Sequence, residues 1–173
     1  MDSVRTLIQE IEKLKSNKEF KKAMDILQKS LAKFNDDYRI YEEIADIYLY
    51  EWKNLKAQKA IDFALNINAE SATWNYLKGF ILLSRNKTNE SISYLEKSNK
   101  LMPNNAEVLR NLGWAYSMTW QQDRWVFILK RALNISPEDM LITEDLAMAL
   151  IWKWEVREWN ELLIKIGKEQ IVL

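Results

Sequence analysis

The sequence predicts an all-α protein in which antiparallel helix pairs stack into a solenoid. Glycine and proline are scarce, with 3 and 2 among 173 residues, so extensive turns and irregular segments have little support. Apolar residues recur at helical spacing along most of the chain. Pro103 and Pro137 lie 34 residues apart, as do Gly79 and Gly113. A fixed period of this length indicates an array of helical repeats.

Composition and charge exclude several classes of function. The 25 lysine and arginine residues are balanced by 25 aspartate and glutamate residues, so the chain has no excess positive charge for nucleic acid or a membrane surface. Cysteine and histidine are both missing, which rules out disulfides, Cys/His zinc sites and histidine-dependent catalysis. No glycine-rich phosphate loop occurs. We therefore expect a non-enzymatic protein with no cofactor or metal.

The N-terminal segment MDSVRTLIQEIEKLK mixes charged and apolar residues at helical spacing. A secretory signal has an uninterrupted apolar core instead, so this segment is not expected to be one. No apolar run approaches the roughly 20 residues that span a bilayer. These features favour a cytoplasmic protein without membrane insertion.

A 34-residue frame covers the chain after Ser3 as one array of five repeats: 4–37, 38–71, 72–105, 106–139 and 140–173. Position 8 of the repeat is mostly small, and positions 11 and 24 are always large and apolar. This pattern predicts two amphipathic helices per repeat that approach closely at position 8. One repeat cannot bury its own apolar face, whereas a stack can. Loops are expected near positions 14–17 and 30–33.

The segment from Pro103 to Pro137 resembles a tetratricopeptide repeat. The matching residues are Leu109, Leu112, Gly113, Ala115, Tyr116, Leu129, Ala132 and Pro137. The other repeats match more weakly and keep the same 34-residue spacing. The resemblance implies a right-handed superhelical solenoid whose concave face is lined by the first helix of each repeat. It implies no chemistry, because a fold does not determine a function.

Tryptophan stands at positions where the family pattern has a small residue. Position 15, where the first helix ends in a left-handed residue, is Trp52, Trp120 and Trp154 in three repeats. Position 20, where the two helices touch, is Trp125 and Trp159 in the last two. A bulky residue at positive φ costs roughly 1–2 kcal/mol, and an overpacked crossing costs about 1–3 kcal/mol.

Three explanations of these tryptophans are open. The residues are genuine and the helix pair opens to hold them, or they were introduced to build an interface, or the native protein has glycine there. Some bacterial lineages read the codon UGA as glycine. The 3 glycines and 8 tryptophans together make 11, near the roughly 12 glycines of an average chain of this length, which favours recoding. Trp114, at position 9, is expected to be authentic because the family accepts aromatic residues there.

The resemblance directs positions 2, 5, 9, 12 and 13 toward the concave face. The candidate groove residues are Tyr76, Phe80, Leu83, Arg110, Trp114, Met118, Met148 and Ile151. The acids Glu42, Asp46 and Glu144 occupy corresponding positions. We expect a groove for an apolar, amphipathic peptide or helix with a few basic residues. The alternative is that neighbouring helices cover most of this apolar stripe.

These features predict a scaffold that binds a protein or peptide partner without catalysis. The alternative is a homo-oligomeric module that associates through an uncapped end face. Solenoids usually carry a polar terminal cap, whereas this chain ends in Ile171, Val172 and Leu173.

Overall fold

The computed structural model describes residues 3–165, and the regular secondary structure of this part is entirely helical. Its helices are α1 Ser3–Ser16, α2 Phe20–Ser30, α3 Tyr38–Tyr50, α4 Asn54–Ile67, α5 Ala72–Ser84, α6 Thr88–Leu101, α7 Ala106–Met118, α8 Gln122–Ile135, α9 Met140–Trp152 and α10 Val156–Lys165. From α3 onward, each first helix of a repeat begins 34 residues after the previous one, and each second helix does so from α4 onward. The predicted helix pairs and their period are confirmed.

Short loops separate these helices. Within each repeat the loop covers positions 14–16, and repeats two to four are followed by a loop at positions 31–34. Both lie within one residue of the predicted positions. No helix in residues 3–165 is long and apolar enough to cross a bilayer.

A short polar residue caps the N-terminus of α3, α5, α7 and α9. The capping residues are Asp37, Ser71, Asn105 and Asp139, each at position 34 of its repeat. Asp139, for example, accepts hydrogen bonds from the backbone N–H groups of Leu141 at 2.9 Å and Ile142 at 3.2 Å. Such bonds satisfy donors that the first helical turn leaves unpaired. Capping residues at a 34-residue interval are a sequence signal for where these helices begin.

Each first helix ends in the same left-handed turn. In the second repeat the N–H of Trp52 donates to the Leu49 carbonyl at 3.0 Å, and the N–H of Lys53 donates to the Tyr48 carbonyl at 2.8 Å. This pair of bonds forms a Schellman motif, which requires positive φ at the residue after the C-cap. The same two bonds recur in all five repeats. The left-handed residues at position 15 are Lys18, Trp52, Asn86, Trp120 and Trp154, with φ between 59° and 61°.

The chain forms two compact units, residues 1–81 and 82–173. In the first unit α1 packs on α2 and α3, and α3 packs on α4. In the second unit α6 to α10 pack successively, each on the next, with α7 against α8 and α8 against α9. Position 24 supplies fully buried side chains to both cores: Leu27 and Ile61 in the first unit, and Leu95 and Leu129 in the second. This position therefore has the packing role that its constant apolar character predicts.

Gly113 lies at position 8, where α7 packs closely against α8. A β-carbon at this residue would lie 2.9 Å from Leu129 Cδ2 and 3.0 Å from Leu129 Cγ. Leu129 is itself fully buried, so its side chain has little freedom to move away. The small residue at position 8 permits the close approach that the sequence predicts.

We expect Gly113→Ala to lower the free energy of unfolding, although alanine favours a helix over glycine by about 1 kcal/mol. Overpacking costs about 1–3 kcal/mol, and Leu129 is the obstacle. Urea unfolding should therefore show that Gly113→Ala lowers the free energy of unfolding in the natural chain. It should show no such loss in a chain that already carries Leu129→Ala. An equal loss in both backgrounds would show that contact with Leu129 is not the cause.

Candidate peptide-binding site

The candidate residues of the first unit lie on α5. Tyr76 is half-buried and Phe80 is exposed, and their ring centroids are 6.4 Å apart. Residues four positions apart lie on the same side of a helix, so the two rings form one aromatic surface. This surface belongs to the first unit.

Glu42, on α3 of the first unit, is a carboxyl group poised to change charge near neutral pH. Burial raises its pKa to about 7, although a hydrogen bond from the Trp74 side chain acts in the opposite direction. The neighbouring acids Glu43 and Asp37 raise the pKa further, and Arg39 lowers it. Glu42 is therefore only partly ionised at pH 7.

Asp46, the other acid predicted on this face of α3, is already paired. Lys15 Nζ lies 2.6 Å from Asp46 Oδ2 and 2.7 Å from Glu43 Oε2. Hydrogen bonds to these two carboxylates raise the pKa of Lys15 against the opposing effect of its burial. The pair joins α1 to α3, so part of the predicted acidic surface has a structural role.

In the second unit, α7 and α9 expose apolar side chains at the predicted positions. Trp114 and Met148, both at position 9, are more than half exposed, and Met118 and Ile151 are also exposed. Leu83, the remaining apolar candidate, is buried, as the alternative interpretation of the stripe expects. Large apolar side chains left in contact with water on one surface often mark an interaction site.

A cavity of about 310 Å³ opens beside Trp114 and Met148 in the second unit. It is lined by Trp114, Ser117, Trp120, Gln122, Trp125, Asp145, Met148 and Trp152. The rings of Trp120 and Trp152 meet edge to face, with centroids 6.0 Å apart. A cavity lined mainly by indole rings and a methionine suits an apolar side chain or small ligand.

A tryptophan at position 20 must either wedge its helix pair apart or point outward, and Trp125 tests these two possibilities. Its side chain is buried and lines the cavity, so the outward position is wrong. The ring therefore stays inside the helix pair and forms part of the cavity wall. The matching side chain of Trp159 lies outside the described part of the structure, as does the predicted end face at Ile171, Val172 and Leu173.

Arg110 pairs with an acid beside the cavity. Its Nε lies 2.6 Å from Asp145 Oδ2, which links α7 to α9. Both side chains are about one-third exposed, so the pair contributes little to stability, at most about 1 kcal/mol. Because their charges are opposite, these two groups add no net charge at the edge of the cavity.

Six lining residues were missing from the predicted set, and two of them, Trp120 and Trp125, stand at positions 15 and 20 of the repeat, where a small residue is usual. Ser117 and Trp152 occupy positions 12 and 13, so the positional rule could have included them. Asp145 and Gln122 occupy positions 6 and 17, and only their placement in three dimensions shows that they contribute. No group of three or more acids within residues 3–165 is arranged to hold a metal ion.

Solved structures of tetratricopeptide-repeat proteins share this fold. MamA residues 41 to the end from Desulfovibrio magneticus RS-1 superposes with a TM-score of 0.84 at 17% identity, covering 96% of this chain and 94% of that one. YrrB, described as a TPR protein with an unusual peptide-binding site, gives 0.83 at 18% identity, with coverage of 92% and 82%. PilW, a type IV pilus biogenesis factor, gives 0.74 at 22% identity, with coverage of 95% and 77%.

No protein-family model matches the sequence, and no curated protein sequence matches it either. The similarity is therefore one of structure at low sequence identity. It establishes an all-α helical-repeat fold of the tetratricopeptide type, as the sequence predicts.

Replacing Glu42 by glutamine should change how stability depends on pH. The raised pKa means that the folded state holds the proton more tightly than the unfolded chain, so this stabilisation is present below about pH 4.5 and is lost as the pH rises through about 7. Glutamine cannot ionise, so the Glu42→Gln variant does not lose this stabilisation as the pH rises. Urea unfolding from pH 4 to 8 should show the variant gaining stability relative to the natural chain as the pH rises. A difference that stays constant over this range would show that Glu42 titrates normally.

Proposed function

We propose that this protein is a non-catalytic scaffold that binds an apolar, amphipathic peptide or helix on the surface formed by α7 and α9. One observation carries the proposal: Trp114 and Met148 are more than half exposed on these two helices, beside an apolar cavity. Aromatic residues anchor many protein interfaces, and methionine adapts its shape to different partners. Both residue types are therefore suited to holding apolar side chains of a partner.

The size and charge of the cavity favour a peptide side chain over a large cofactor. A volume of about 310 Å³ is at the lower end of the range for ligand pockets, which is roughly 300–1,000 Å³. The Arg110–Asp145 pair balances the charge at its edge. Tyr76 and Phe80 offer a further aromatic surface within the first unit.

The comparison with YrrB supports peptide binding, since that protein is described as having a peptide-binding site on the same type of fold. Binding without catalysis is also in keeping with the composition, because cysteine and histidine are missing from the sequence. A cytoplasmic location, with no role in nucleic-acid binding or membrane insertion, forms part of the proposal. Fractionation of the native host would test the location.

A displayed library of random peptides can test the groove without knowledge of the natural partner. We expect selection to recover peptides with apolar residues at helical spacing. Trp114→Ala should weaken their binding by at least about 2 kcal/mol, roughly thirtyfold in Kd, if this residue is a hot spot. Isothermal titration calorimetry measures the change, and circular dichroism checks that helicity is retained.

Phe127→Ala is the matched control, because Phe127 is an equally exposed aromatic residue on α8 and does not line the cavity. It should leave binding unchanged. Failure to recover any peptide, or equal weakening by both substitutions, would contradict a groove at α7 and α9.

Self-association is the second candidate, favoured by exposed apolar residues on the second helices. Leu55 and Phe63 are exposed on α4, and Phe127 is exposed on α8. A homo-oligomer would bury such residues against another copy. Sedimentation over a concentration series distinguishes the candidates: a mass that increases with concentration and falls in the Phe127→Ala variant supports self-association, whereas a monomer throughout argues against it.

A further inference from the structure

Three tryptophans occupy a backbone conformation that favours glycine. Trp52, Trp120 and Trp154 have φ of 59°, 59° and 61°, and each is the left-handed residue of a Schellman motif. For an L-residue with a large side chain this region is strained, because Cβ approaches the following carbonyl oxygen. Glycine has no Cβ and adopts the left-handed conformation freely, so glycine is the usual residue at this position.

The side chains of these tryptophans recover little of that cost. Trp52, Trp120 and Trp154 are 87%, 71% and 81% exposed. A tryptophan stabilises a fold mainly through the large apolar area that it removes from water. Trp120 does contact the ring of Trp152, but Trp52 and Trp154 are almost wholly in solvent. Backbone and side chain therefore both argue against tryptophan at these positions.

The other tryptophans differ in backbone conformation. Trp74, Trp114 and Trp125 lie inside helices and do not have positive φ. Trp125 is buried, and its side chain forms part of the cavity wall. The tryptophans with positive φ therefore all stand at position 15 of the repeat, and the others stand at other positions. A general enrichment in tryptophan does not explain such a pattern.

We infer that the native polypeptide carries glycine at residues 52, 120 and 154, encoded by UGA codons that the host reads as glycine. Insertion of glycine for this codon would leave the Schellman motifs intact and remove the left-handed strain. Left-handed strain does not decide whether residues 125 and 159 are glycine or tryptophan in the native protein. The codons at these two residues decide it.

Glycine at residue 120 would also change the candidate binding site, a consequence that rests on the proposed function. Glycine at residue 120 removes one of the indole rings that line the cavity, together with its contact with Trp152. Trp114 and Met148 remain, so the native surface would be wider on the side of the loop between α7 and α8. A partner side chain could then approach the loop backbone directly.

The gene and the native protein test the inference independently of any binding activity. We expect TGA codons at residues 52, 120 and 154, and peptide masses from the native host that correspond to glycine at all three. Trp114 is the internal control and should be encoded by TGG and retain the mass of tryptophan. TGG codons at the three residues, or TGA codons with the mass of tryptophan, would overturn the inference.

Stability measurements test the backbone argument itself. Trp52→Gly and Trp154→Gly should each raise the folding equilibrium constant by roughly five- to tenfold, because left-handed strain is removed. The matched control is Trp114→Gly, the same chemical change at an exposed site within α7, and it should lower the constant by roughly two- to fivefold. A similar loss in all three variants would show that left-handed strain does not disfavour tryptophan at residues 52 and 154. Because this readout requires no partner, failure of the peptide-binding proposal would not affect it.

Discussion

The left-handed residue at position 15 is the constraint on which the arrangement of each helix pair depends. It allows the N–H of the next residue to close on a carbonyl five residues earlier, as Lys53 does on Tyr48 at 2.8 Å. That bond ends the first helix and reverses the chain, and the second helix begins after a loop of three residues. Close packing follows from this reversal, because it brings position 8 of one helix against position 24 of the other, as Gly113 lies against Leu129.

The N-caps complete the repeat at its other end. Asp37, Ser71, Asn105 and Asp139 each occupy position 34 and start the next first helix. A start signal at position 34 and a stop signal at position 15 of the next repeat give α3, α5, α7 and α9 the same length of 13 residues. The apolar positions between them therefore fall on the same faces in successive repeats. This is the physical origin of the 34-residue spacing, and it places Trp114 and Met148 at the same repeat position on α7 and α9.

Much of this fold could be predicted from the sequence because its determinants are local. Helix periodicity, small residues at position 8 and the need for a left-handed residue at position 15 all act within a few turns of the chain. The candidate site was less predictable, since Leu83 and Met118 belong to the same apolar stripe and only one of them is buried. An apolar pattern alone does not show which side chains a neighbouring helix covers. The pairing of Arg110 with Asp145 and the raised pKa of Glu42 likewise depend on contacts between different helices.

The most direct measurement of the central constraint uses the two repeats that have no tryptophan at position 15. Lys18 and Asn86 are left-handed with φ of 61° and 59°. Each can be replaced by glycine and by alanine, and the free energy of unfolding can be compared between the two variants. The account predicts that glycine is more stabilising than alanine by about 1 kcal/mol or more at both residues, since only alanine is strained there. Alanine favours an ordinary helical site by about the same amount, so equal stability or an advantage for alanine would contradict the account.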